Sequence, residues 1–174
     1  MTTSDAEPAI NPTLTAEEVG RRFLTLIESI KSRSDLTVEH VQAVMGLALK
    51  DGREAKFHTQ SLGDGWVYSV ALHPEKRPGD RIAIALEFIE KSDRFADMSA
   101  ICGLTFEDYH KALKAMGYYD HFAYDQIDGQ VGRLLSAEYR KEGYSVSVLP
   151  EVKRFSNGKV YPTCVRSIRL LTLP

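Results

Sequence analysis

Apolar residues recur at helical spacing in three stretches of this chain. Val19, Phe23, Leu26, Ile27 and Ile30 form one stripe, Val41, Val44, Met45 and Ala48 a second, and Tyr109, Ala112, Leu113 and Met116 a third. Steps of three and four residues place each set on one side of a helix, so the pattern predicts three helices with one buried face apiece. Elsewhere the period is two. Residues 66–73 alternate Trp66, Tyr68, Val70 and Leu72 with Val67, Ser69, Ala71 and His73. Residues 82–88 alternate Ile82, Ile84, Leu86 and Phe88 with Ala83, Ala85 and Glu87. Bulky-against-small alternation describes strands with one face in a core.

Each predicted helix is preceded by the same four-residue pattern: LTAE at 14–17, LTVE at 36–39 and LTFE at 104–107. The threonine suits the N-cap, where its hydroxyl accepts from a first-turn N–H that has no helical partner. The glutamate falls in the first turn and meets the positive end of the helix dipole. Leu14, Leu36 and Leu104 before the caps pair with Val19, Val41 and Tyr109 after them as hydrophobic staples. Glu18 completes a capping box with Thr15, and Asp108 occupies the equivalent position for Thr105. The repeated pattern therefore reads as a way of starting helices, with no catalytic content.

Xaa-Gly pairs set the turns. Asp64-Gly65, Pro78-Gly79, Asp128-Gly129, Glu142-Gly143 and Asn157-Gly158 separate strand-like runs, and glycine accepts the positive φ that tight hairpins need. The predicted order is α-α-β-β-β-α-β-β-β-β: an α+β fold with an antiparallel sheet of about seven strands and three main helices on one face. The order allows two α-then-β units, each with a Met-Gly pair at its helix end (Met45-Gly46, Met116-Gly117) and an Asp-Gly turn among its strands. Residues 1–13 read as a flexible tail and 14–174 as one domain, with 14–94 and 95–174 as its candidate halves.

Composition narrows the chemistry. A formal charge of −2 provides no global basic field for nucleic acid or an anionic membrane. The charge is uneven: residues 131–174 carry eight Lys/Arg against three Asp/Glu, and the rest of the chain is net acidic. Cys102 and Cys164 stand far apart in apolar company, which predicts reduced, packed thiols in a cytoplasmic protein. No secretory leader pattern and no membrane-length apolar run is present.

Phosphate-cradle, serine-hydrolase, zincin and dinucleotide motifs are missing, and His40, His58, His73, His110 and His121 show no ligand-like spacing. No cofactor, metal or catalytic residue is expected. The densest polar-aromatic cluster, Tyr118, Tyr119, Asp120, His121 and Tyr124, would serve acid–base chemistry only if other groups converged on it. It reads more simply as a helix end followed by an aromatic strand.

In layout the chain resembles small cytosolic bacterial immunity proteins, in its size, its strand-rich second half and its lack of catalytic motifs. The tandem units LTVEHVQAVMG and LTFEDYHKALKAMG also look like those of repeat-built inhibitor folds that clasp an enzyme on a sheet surface. The resemblance implies a non-catalytic module that covers the active site of a protein partner such as a cognate toxin. Alternation places Leu135, Ala137 and Tyr139 inward and Ser136, Glu138 and Arg140 outward, with Ser145 and Ser147 outward on the next strand. Partner contacts are therefore expected at Glu138, Arg140, Ser145 and Ser147, joined by Tyr119 and Asp120 at the rim and Lys153 and Arg154 in the following hairpin. The alternatives are a small hydrolase or transferase using His121 or a cysteine, and a ligand-binding or structural homodimer.

Overall fold

The computed structural model describes residues 13–91, 98–151 and 164–173. Three helices form on the stripes, α1 (Ala16–Ser29), α2 (Val38–Met45) and α3 (Phe106–Ala115), except that Ala48 of the second stripe lies exposed beyond the Gly46 that ends α2. All three are capped by the predicted threonines. Thr15 and Thr105 close full capping boxes with Glu18 and Asp108, and Thr37 accepts from the His40 N–H. The staple residues Leu14, Leu36, Leu104, Val19, Val41 and Tyr109 are all buried. At the other end, α2 stops at Gly46 (φ 64°) and the chain leaves α3 through Gly117 (φ 86°). A β-carbon is strained in that left-handed region, so glycine makes the exit cheap.

The strands are β1 (Lys50–Asp51), β2 (Lys56–Gly63), β3 (Trp66–His73), β4 (Ala83–Glu90), β5 (Tyr119–Ile127), β6 (Gln130–Lys141), β7 (Tyr144–Glu151) and β8 (Cys164–Thr172). They make one antiparallel sheet in the order β1-β2-β3-β4-β8-β7-β6-β5. There are eight strands where the sequence suggested about seven. The addition is the two-residue β1, too short to carry an alternation signal, which pairs Lys50 with Phe57 and Asp51 with Lys56.

The order has an internal symmetry. Two meanders, β1–β4 and β5–β8, run inward from opposite edges and meet where β4 pairs antiparallel with β8, Leu86 opposite Ile168. This corrects one correspondence drawn from the sequence. Asp64-Gly65 turns β2 into β3, whereas Asp128-Gly129 turns β5 into β6, so the counterpart of Asp64-Gly65 is Glu142-Gly143 between β6 and β7. All the Asp-Gly glycines and aspartates at the first two turns have positive φ, as a two-residue hairpin demands.

Most bulky positions of β3, β4, β7 and β8 face the helices. Trp66, Tyr68, Phe88, Ile168, Leu170, Val146 and Tyr139 join Phe23, Leu26, Met45, Tyr109 and Leu113 in one buried cluster. Gly20 sets the distance between α1 and α3. A β-carbon there would sit 2.9 Å from Leu104 Cδ1 and collide with the Tyr109 hydroxyl. One inward expectation is corrected: Leu135 is 42% exposed, while Ala137 and Tyr139 are fully buried. The β5–β6 register shifts at this point: Ala123 pairs with Ser136 but Tyr124 with Leu134, so Leu135 is the extra residue of a β-bulge and the alternation does not carry through it. Residues 1–12 of the candidate tail (1–13), the Asn157-Gly158 turn, Lys153 and Arg154 lie outside the described residues.

Candidate functional site: the open face of the sheet

With the bulky side chains committed to the helices, the small and polar alternates fall on the opposite face. Register lines them into rows across the sheet. One row runs Tyr119, Arg140, Ser145, Leu171, Ala83 and His73. The next runs His121, Glu138, Ser147, Arg169, Ala85, Ala71 and Phe57. None of the three helices packs on this side. Tyr119, Phe57, Ile89 and Leu149 are exposed here at 61%, 37%, 37% and 44%.

Of the residues expected to meet a partner, Tyr119, Glu138, Arg140, Ser145 and Ser147 share this face. Asp120 does not. It pairs with the buried Tyr139 on the helix side, where its carboxylate binds the Lys114 ammonium, and that bond holds its pKa below the usual carboxylate range. Glu138 accepts the hydroxyls of Ser145 (3.1 Å) and Ser147, so three of the expected contact residues satisfy one another. Arg140 stands exposed at the end of the same strand.

Three residues missed by the sequence reading belong here: Glu87, Leu149 and Arg169. Arg169 Nη2 lies 3.7 Å from Glu87 Oε1 across the β4–β8 junction, and a shallow depression of about 350 Å³ lies between this pair, Ser147, Ser167 and Leu149. Alternation in β8 was the available signal, but without the β4–β8 pairing Arg169 has no visible neighbour. Arg140 and Arg169 against Glu87 and Glu138 leave the described open face nearly balanced. Of the eight Lys and Arg in residues 131–174, Arg140 and Arg169 stand on this face, while Lys141 and Arg166 lie on the helix side, where Arg166 binds Glu151 and lies over the Trp66 ring.

The aromatic cluster at 118–124 is split by the sheet. Tyr118 is buried under the helices and Phe122 packs against His110 and Tyr139, while Tyr119 and His121 point the other way. The histidines are equally scattered. His40 bonds Ser29 (2.8 Å), His110 bonds the Tyr139 hydroxyl (2.9 Å), and His58 is buried beside Tyr68. Among the described residues no group of three or more His, Cys, Asp or Glu gathers to hold a metal.

The cysteine expectation is corrected. Cys102 and Cys164 form a disulfide across 62 residues, with Cα atoms 5.0 Å apart, well inside the range such a bond spans. Proximity comes from the fold: the segment entering α3 runs beside the start of β8, where Thr105 bridges Cys164. Among the described residues no helix is long and apolar enough to cross a membrane. No family model, curated protein or solved structure matches the chain.

Proposed function

We propose that this chain is a non-catalytic protein-binding module of the inhibitor or immunity kind, which docks a partner on the open face of its sheet and covers that partner's active site. One observation carries the reading: an eight-stranded sheet covered by helices on one side presents exposed Tyr119, Phe57, Ile89 and Leu149 on the other, set among short polar side chains. Amphipathic aromatic and aliphatic side chains on a flat polar field suit an interface with a few dominant anchors. Side chains held at defined spacing by a ladder lose little entropy on binding, which favours a rigid docking surface over an adaptive one. The near balance of the described charges makes apolar anchoring, joined by the exposed cations Arg140 and Arg169, the main source of affinity. The Cys102–Cys164 cross-link fits work in an oxidising compartment better than the cytoplasm expected from the sequence.

The experiment is co-expression with the product of the adjacent reading frame. Growth protection and a stable complex are expected from the native chain. Leu149→Asp combined with Tyr119→Ala should lose both at unchanged melting temperature. Protection that survives this pair of substitutions removes the open face as the interface, and absence of any complex removes the inhibitor reading.

A further inference from the structure

A second concave feature lies on the helix side, away from the open face and independent of its role. The C-terminal ends of α1 and α3 converge on the β6–β7 hairpin around a cleft of about 680 Å³, within the size range of small-molecule sites. Ile30 and Met116 supply apolar walls, Tyr118 and Tyr144 aromatic ones, and Lys31 and Lys141 the cations. We infer that this cleft binds a small carboxylate with an apolar body.

Two helix C-termini would by themselves repel an anion, because their last carbonyls carry the negative end of the dipole. Here the lysines cover those ends. Lys31 Nζ donates to Glu28 O (2.6 Å) and Lys141 Nζ to Met116 O (2.8 Å). An ammonium has three donors, so each lysine keeps two for a ligand. Lys141 is further positioned over the Tyr118 ring, 5.6 Å from its centroid.

Tyr118 is the second observation. It is only 5% exposed and it lines the cleft. Burial, with the neighbouring Tyr144 adding to it, pushes its pKa up to about 12, so the hydroxyl stays protonated and able to donate. A carboxylate oxygen at this wall of the cleft would accept from that hydroxyl. Arg33 also borders the cleft but is held by Glu75 and the Asp80 carbonyl. Glu28 and Glu142 also border it, exposed as the two lysines are, so solvent screens all four charges alike. The preference for an anion rests on the remaining lysine donors.

The test uses three probes of one shape: 4-phenylbutyrate, 4-phenylbutan-1-ol and 4-phenylbutylamine, titrated into the full chain by ¹H–¹⁵N NMR. The acid should saturate with shifts confined to amides around Lys31, Met116, Tyr118 and Gly143. The alcohol should bind about tenfold more weakly or worse, the amine weaker still, as expected for losing a charge-assisted hydrogen bond. Lys141→Met should weaken the acid by about the same factor while leaving the alcohol unchanged, which separates charge from packing. Tyr118→Phe should cost the acid a few-fold. Should Lys141→Met unfold the chain, Lys31→Met and the acid-to-alcohol ratio of the native protein carry the same test. Equal affinity for all three probes, preference for the amine, or shifts centred elsewhere would overturn the assignment.

Discussion

Thr105 shows how much a single capping residue does. Its hydroxyl accepts from the Asp108 N–H (3.3 Å) and donates to Asp108 Oδ2 (2.9 Å), and that carboxylate also takes the Thr105 N–H (2.8 Å). These bonds hold the Asp108 pKa low, and the same arrangement at Thr15 lowers that of Glu18. Thr15→Ala, Thr37→Ala and Thr105→Ala should each destabilise by about 1 kcal/mol in urea unfolding, Thr105→Ala most, without a specific effect on binding. Loss of partner binding at unchanged stability in any of them would assign that LTxE a functional role. His58 gives the pH dependence. Burial is the main cause of its lowered pKa, with Lys50 adding and a hydrogen bond to the Ala48 backbone opposing. Unfolded, the ring titrates near its ordinary value of about 6.5, so between the two values the unfolded chain binds more protons. Its contribution is therefore complete above about pH 6.5 and is lost as pH falls through the folded value. Urea midpoints measured across this window should fall with pH, and His58→Phe should flatten the slope. Equal slopes in the two proteins would exclude His58 as the source.

At the scale of elements, helix starts were legible to the residue and strands mostly so. A helix start needs only local groups: a cap hydroxyl, an acidic first turn, a staple. Trp66, Tyr68, Val70 and Leu72 likewise declare their face by alternation alone, and all are buried. Failures came where an element depends on what lies beside it. β1 exists only because β2 offers it a partner. Leu135 loses the inward phase because the β5–β6 pairing bulges at it. The disulfide is the third case, since it ties the entry of α3 to β8. Reducing it, or replacing Cys102 and Cys164 by serine, should lower stability by about 2–4 kcal/mol, given the long loop it closes. The measurement is urea unfolding with and without reductant, beside intact mass after alkylation. An unreduced protein that takes up two alkyl groups under native conditions would show the thiols to be free.

For the whole molecule, the sequence by itself determined the α+β class, the helix starts, the turns that fall within the described residues and the buried side of β3 and β4. Those properties rest on interactions between residues a few positions apart, which any reader of the chain can pair. Tertiary structure alone decided that β4 joins β8, and with it that Arg169 meets Glu87 and that Ser147 and Ala85 share a row with Phe57. It also decided that Asp120 and Tyr119, adjacent in sequence, work on opposite faces, and that Tyr118, Lys31 and Lys141 border one cleft. The physical reason is loop closure. Contacts across tens of residues are chosen by the burial of the entire sheet against its helices, a collective free energy that no local pattern encodes.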